Sequence, residues 1–325
     1  MENDFKASKS IKSSKPLVTI VGVLGKQGYS VAQTLIQSGQ YQVRGITRRL
    51  DSSPEAVSLT EQGVELVSIP LNLGYKKDFV QAFRGSYGVF LITPGIVPPN
   101  THEFALGKEL ADAALEAKVE HLIFSSLENV DKITSGKKFA PHFTDKANIE
   151  AYIRTLPIKS SFIYMAFFYT NFLEFYTPIV QDDVLVFPIY LPKNFRAPFV
   201  DPLTATGPAV LEIFSNADKY TGSSLPVIGD ILSPQDIVDT FIKVTGKKAV
   251  YSSAYTRDEF LNHFPEFRFN ETLVEEIIGM AEYAVEYGYF SENRDLQWSR
   301  EINPKSLSWE QFLIRTDWKG LKQSY

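Results

Sequence analysis

Gly22, Gly25 and Gly28 stand in the stretch VTIVGVLGKQGYSVAQTLIQSG, spaced G-x-x-G-x-x-G. They follow an apolar run and precede a helical pattern, the placement of a phosphate-binding turn. Each glycine has a task there. Gly22 permits the tight turn, Gly25 lets the backbone approach a pyrophosphate, and Gly28 lets helix and strand pack closely. The helix N-terminus adds free N–H groups and a partial positive charge. A P-loop is excluded, because Gly25–Lys26 is followed by Gln27 and not by a hydroxyl residue. A glycine turn that holds no ligand is the alternative reading. Twenty residues after Gly28 the chain reads GITRRLD. An NAD site places a carboxylate here to bond the ribose 2′-hydroxyl. This chain offers Arg48, with Arg49 as the fallback, and Asp51 comes too late. A guanidinium pairs bidentately with a 2′-phosphate. NADP(H) is therefore the expected ligand and NAD(H) the alternative, unless the two arginines are merely solvated.

Other chemistry is sparse. There is no cysteine, which removes disulfides, thiol nucleophiles and thiolate metal sites together. The four histidines, His102, His121, His142 and His263, form no H-E-x-x-H pattern, so no metal site is expected. No G-x-S-x-G elbow is present. Asp182–Asp183 reads as a solvated turn. No tyrosine has a lysine four residues later, so the Y-x-x-x-K acid of a short-chain reductase is missing.

The elements that must carry these residues alternate from Leu17 onward. Strands are expected at Leu17–Val21, Gln42–Thr47, Glu65–Ile69, Val89–Thr93, Leu122–Ser126 and Ser161–Met165. Helices are expected at about Tyr29–Ser38, Pro54–Gln62, Lys76–Phe83, Thr101–Lys118 and Thr144–Thr155. Mostly continuous apolar strands in βαβα order predict a doubly wound parallel sheet, the Rossmann architecture, over residues 17–166. The alternation then weakens. Residues 182–208 hold five prolines and few helix signals, predicting a loop-rich annex. A smaller α/β C-terminal part is expected from 167–224 and 251–325, with a segment at about 225–250 returning to the first domain. Helix starts are well marked at Ser233–Pro234 and by capping boxes at Thr256–Glu259 and Ser308–Gln311. The aromatic run Phe167–Tyr176 reads mainly as core.

The chain has 325 residues, 44% hydrophobic and 22% charged, with net charge −5. This length supports a sizeable core without staples. The acidic balance lacks the basic footprint of a nucleic-acid binder, so no direct nucleic-acid contact is expected. No apolar run is long enough to span a membrane. Residues 1–16, with four Lys and four Ser, are expected to form a disordered tail. A cytoplasmic location is expected, with the nucleus as the alternative.

The block GVLGKQGYSVAQTLIQSGQYQVRGITR resembles the opening of the NmrA-like family, a branch of atypical short-chain dehydrogenases. The similarity continues in GKELADAALEAKVEHLIFSSLENVDKITSGKKFAPHFTDKANIEAYIR, where it is strongest to the NADPH-sensor members of animals, and more weakly through SPQDIVDTFIKVTGKKAVY to NPKSLSWEQFL. The resemblance implies NAD(P) binding with little or no catalysis. It implies a regulatory role through a protein partner, as in fungal members that restrain nitrogen-metabolism transcription through a GATA-type factor, and a monomer or homodimer. By resemblance, Gly22, Gly25, Lys26, Gln27 and Gly28 sit at the phosphates and Arg48 at the 2′-phosphate. Thr93 and Pro94 border the adenosine and ribose side. Lys146 lies near the nicotinamide ribose, and Phe168, Tyr169 and Asn171 line the nicotinamide end. Where many members carry an aspartate after the third strand, PLNLGY offers Asn72.

Lys146 thus occupies the lysine place of a reductase, and His142 stands four residues before it. Histidine can donate protons. The expected function is a non-catalytic NADP(H) sensor. The alternative is an NADPH-dependent reductase of a small carbonyl or quinone, with His142 as acid and Lys146 as orienter. A scaffold with an empty glycine turn is the third reading.

Overall fold

The structure, a computed structural model, describes residues 15–48, 52–94, 102–290 and 294–323. The expected tail falls on residues outside this set, apart from Lys15 and Pro16. The first half alternates strands with helices, two of them between the last two strands: β1 (Leu17–Val21), α1 (Lys26–Ser38), β2 (Gln42–Thr47), α2 (Pro54–Glu61), β3 (Glu65–Ser68), α3 (Lys76–Phe83), β4 (Ser86–Leu91), α4 (Glu103–Glu116), β5 (His121–Ser126), α5 (Val130–Thr134), α6 (Pro141–Ile153) and β6 (Lys159–Met165). The second half is shorter-grained: β7 (Phe167–Phe168), α7 (Asn171–Glu174), β8 (Ile179–Gln181), β9 (Val184–Ile189), β10 (Ala197–Val200), α8 (Pro202–Ser215), α9 (Ala217–Tyr220), β11 (Ser224–Val227), β12 (Asp230–Leu232), α10 (Pro234–Thr245), β13 (Ala249–Ser253), α11 (Arg257–His263), α12 (Glu271–Tyr287), α13 (Trp298–Ile302) and α14 (Trp309–Thr316).

The main sheet is parallel, seven-stranded and Rossmann-like, in the order β11-β6-β5-β4-β1-β2-β3. Its strands are apolar on both faces because both are covered. Val18, Ile20, Phe90, Ile123 and Ile163 pack on one face with α1 and α8. Val21, Val89, Leu91, Leu122, Phe124 and Phe162 pack on the other with α3, α4 and α6. The annex holds two small sheets, β12-β10-β7 and β13-β9-β8, around a third core rich in aromatic rings.

Some placements differ from the sequence reading. Of the segment at about 225–250, only β11 joins the main sheet, beside β6. Helix α10 buries Ile237, Val238 and Phe241 in the annex core, and β13 pairs with β9 there. Conversely, residues 202–208, the end of the stretch read as loop-rich, open α8, which runs to Ser215 and packs on α1 of the first domain. Pro202 starts α8 at N1, and Pro208 sits inside it. Pro208 has no N–H for the Thr204 carbonyl. That oxygen accepts instead from Asn303 Nδ2 at 3.2 Å. Gly207 allows the close approach, its N–H donating to Ser30 Oγ at 2.9 Å. Helix α6 begins at Pro141, three residues before the expected start, which puts His142 and Lys146 on one helix.

Candidate functional site

Strand β1 ends in the glycine turn. Gly22 has φ +72°, in the left-handed region that glycine tolerates. Its N–H and that of Val23 both donate to Ile46 O, at 2.9 and 3.1 Å, which ties the turn to β2. A Cβ at Gly28 would lie 2.3 Å from Gly22 O and 2.8 Å from Val23 Cα. Glycine is therefore required for α1 to lie on the turn. Helix α1 starts at Lys26, three residues earlier than its periodicity suggested, and Gly25 at its N-cap offers no side-chain cap. The first-turn residues Lys26, Gln27 and Gly28 line a cavity of about 720 Å³ together with Gly22 and Gly25. These are the features a pyrophosphate needs.

Two of these residues are held from outside the turn. Lys26 Nζ pairs with Glu174 Oε1 of α7 at 2.7 Å. Gln27 Oε1 accepts from Ser125 Oγ of β5 at 2.8 Å. Arg48 is exposed just beyond β2 and does not line the cavity. Arg49 lies outside the described residues.

Further along the cavity stands a buried polar group. Lys146 Nζ donates to Glu103 Oε1 and to Pro94 O, the latter at 3.3 Å. Thr93 Oγ1 donates to the same Glu103 oxygen. Glu103 is only 3% exposed, and its negative charge is balanced by Lys146. Thr93 and Lys146 line the cavity, and Pro94 contributes its carbonyl to the lysine. One helical turn before Lys146 is His142. Its Nδ1 lies 2.6 Å from Glu276 Oε1 of α12, and its backbone N–H donates to the same oxygen at 2.9 Å. Burial holds the imidazole below its usual value of 6.5, against the raising influence of Glu276.

Beyond His142 the walls turn apolar and aromatic: Phe143, Phe168, Tyr176, Tyr190, Met280 and Tyr289. Phe168 and Asn171 line the cavity. Tyr169 does not, which corrects that assignment. Its N–H donates to Val200 O at 3.0 Å, prolonging the pairing of β7 with β10. Its ring is fully buried in the annex core against Trp309, Phe312 and Phe199. The next residue, Thr170, lines the cavity, and its Oγ1 has no hydrogen-bond partner. Among the described residues no cluster of three or more His, Asp or Glu suits a metal ion. No helix among them is long and apolar enough to cross a membrane.

Glu103, Glu276 and Thr170 were not foreseen. Glu276 had a signal, since it shares the face of α12 that carries Met280 and Tyr283 at positions i+4 and i+7, a charged residue on an apolar stripe. Glu103 and Thr170 had none.

Residues 14–313 match the model of the NmrA-like family. The chain belongs to the NmrA-like family. An NmrA-like family domain-containing oxidoreductase of Aspergillus campestris, cpsB, is 30% identical over 275 residues, which cover 78% of this chain and 80% of that protein. An NmrA-like family domain-containing protein of Dictyostelium discoideum is 29% identical over 245 residues, covering 72% and 79%. Among solved structures, NmrA, a negative transcriptional regulator, in complex with NADP superposes with a TM-score of 0.74 at 21% identity, covering 92% of this chain and 94% of that one. NmrA has also been solved in complex with NAD, with the same fold similarity. The glycine turn, the uncapped α1 and the unpartnered Thr170 hydroxyl fit a dinucleotide in this NmrA-like chain.

Proposed function

We propose that this NmrA-like protein is an NADP(H)-dependent oxidoreductase acting on an apolar, ring-bearing small molecule. One observation carries the reading. The glycine turn and the aromatic residues line a single cavity, and His142 and Lys146 line it as well. A protein that only senses the nucleotide has no use for an apolar chamber beyond it. The naming of several curated relatives as oxidoreductases supports the same view.

The bound dinucleotide supplies hydride transfer at its nicotinamide. The chain's own residues do the rest. The N–H groups of α1 and Lys26 hold the phosphates. Arg48 meets the 2′-phosphate, giving preference for NADP(H). Lys146, fixed by Glu103 and Pro94, bonds the ribose. The aromatic walls exclude water and orient the substrate ring, and His142 handles the proton.

A second reading has its own observation. With no Y-x-x-x-K tyrosine in the chain, a nucleotide sensor that controls a protein partner, such as a GATA-type transcription factor, needs only the binding half of the site. Calorimetry with NADP, NADPH, NAD and NADH, followed by NADPH oxidation assays with aromatic ketones and quinones, separates the two. Binding with turnover near ~1 s⁻¹ or above supports the oxidoreductase. Binding without turnover of either class, and without NADP⁺ reduction by aromatic secondary alcohols, overturns it in favour of the sensor. Absence of binding overturns both.

A further inference from the structure

We propose that Glu276 and His142 form a proton-accepting dyad, and that the reaction it serves is dehydrogenation of an apolar secondary alcohol by NADP⁺. The inference rests on the oxidoreductase reading and goes further. It names the reacting group, the direction and a positioning residue.

The dyad is assembled from two layers. His142 lies on α6, against the parallel sheet, and Glu276 on α12 of the annex. One oxygen, Glu276 Oε1, accepts from the His142 backbone N–H and faces its Nδ1 at 2.6 Å. The Glu276 oxygen already accepts from the backbone N–H, and it is the acceptor toward Nδ1 as well. Nδ1 must therefore carry the hydrogen, and the double attachment fixes both tautomer and ring orientation. Nε2 is left with no hydrogen-bond partner among the described residues, in a side chain that lines the cavity one turn from Lys146.

A neutral ring in this tautomer presents a lone pair and takes a proton; it has none to give. The charged groups around it are Glu276 from α12, Lys146 and Asp145 on α6, and Glu103 from α4. Lys146 and Glu103 form an ion pair and largely cancel. Asp145 is itself raised by burial. Burial keeps His142 neutral at pH 7, and Glu276 stabilises the imidazolium only when the proton arrives. This is the logic by which an acid orients a base histidine in unrelated hydrolases.

The step balances without another reactant. The alcohol C–H leaves with its electron pair as hydride to NADP⁺. The O–H bond breaks, its proton goes to Nε2, and its electrons close the C=O bond. Ketone and NADPH result, and His142 later releases the proton to solvent. The reverse reaction passes through the same imidazolium, formed there by a proton from solvent. The chamber behind His142, with Phe143, Tyr176, Tyr190, Met280 and Tyr289, suits the alcohol's ring or alkyl part.

The first test needs no substrate. The chain has four histidines, so nitrogen NMR of the full-length protein, assigned with His142→Gln, resolves the His142 ring. The expected result is the Nδ1–H tautomer, neutral at pH 7, with a midpoint below 6.5. Glu276→Gln should release the tautomer. A wild-type ring protonated on Nε2, or a tautomer indifferent to Glu276→Gln, overturns the dyad. The second test follows NADP⁺ reduction with 1-phenylethanol, 1-indanol and 1-tetralol. Oxidation is expected, with kcat falling as pH drops through the His142 midpoint. Glu276→Gln should lower kcat by about a hundredfold or more while leaving KM and NADP⁺ affinity within about threefold. If NADP⁺ binds and none of the three alcohols is oxidised, the proton-accepting assignment is wrong. If NADP⁺ does not bind, the oxidoreductase reading itself has failed and the inference falls with it. Should Glu276→Gln not fold, the wild-type tautomer and pH profile still decide.

Discussion

Lys26 Nζ lies 2.7 Å from Glu174 Oε1, an ion pair that joins the first residue of α1 to the last residue of α7. Both side chains line the cavity beside the glycine turn. The lysine expected at the phosphates is thus held by a carboxylate of the annex, and an incoming pyrophosphate competes with Glu174 for it. A partly exposed pair is worth about 0.5–1 kcal/mol. Glu174→Gln should therefore tighten NADPH binding by roughly two- to fivefold, and Lys26→Ala should weaken it by about tenfold. Titration calorimetry checks both. Unchanged affinity in Glu174→Gln would show that the lysine stays with its partner when nucleotide binds.

Arg48 is the residue on which cofactor preference is expected to turn. It stands exposed just past the end of β2, the strand that pairs with β1 beside the glycine turn. A charge-assisted bidentate contact to the 2′-phosphate contributes about 1.5–3 kcal/mol, roughly tenfold to a hundredfold in favour of NADP(H). Arg48→Ala should remove most of that preference and leave NAD(H) affinity as it was. Equal wild-type affinities for the phosphorylated and unphosphorylated dinucleotides would refute this role.

Gly28→Ala should separate structure from binding. The added Cβ meets Gly22 O at 2.3 Å and Val23 Cα at 2.8 Å, both backbone atoms with little room to retreat. Helix α1 must lift from the turn. Overpacking of this kind costs about 1–3 kcal/mol, visible in a urea titration, and nucleotide affinity should fall by at least tenfold. Gly39→Ala is the control. Gly39 lies at the far end of α1, and a Cβ there meets nothing within 4 Å. Its φ of +66° still makes alanine mildly unfavourable, so it should cost stability while sparing affinity.

His121 predicts an acid-side loss of stability. It is 1% exposed, its Nε2 lies 2.9 Å from Ser161 Oγ, and its Nδ1 has no partner. Burial, aided by Lys159, depresses its pKa from 6.5 to about 4. Between these values the unfolded chain binds a proton that the folded chain refuses. Stability is complete above pH 6.5 and falls as pH drops toward 4, by about 3 kcal/mol in all. Denaturant midpoints from pH 7 to pH 4 should show the slope, and His121→Gln should flatten it. A slope that survives the substitution assigns the acid sensitivity elsewhere.

Local rules made much of the site readable before any tertiary contact was known. The β1–α1 turn needs glycine for reasons confined to a few consecutive residues, and Gly22 and Gly28 carry the dihedral and the close approach that those reasons demand. The capping boxes Thr256–Glu259 and Ser308–Gln311 close as read, and Ser233 caps α10 with Asp236 completing the box. His142 and Lys146 fall on one helix face because four residues make about one turn. The parallel order of the main strands followed from apolar runs alternating with helices.

What the sequence by itself determined, then, was each side chain's place along its own element; what only tertiary structure decided was which elements meet. Glu276 lies 134 residues from His142, and Glu174 lies 148 from Lys26. No local periodicity encodes either pairing. Tyr169 and Phe168 are neighbours in the same aromatic run, yet one enters the annex core and the other the cavity, because β7 pairs with β10. Helix α8 survives Pro208 because Asn303, 99 residues from Thr204, supplies the missing donor. The glycine turn is legible because its constraint is steric and local. The proton site is not, because a carboxylate and an imidazole acquire their roles only when folding removes water from both and leaves each as the other's partner.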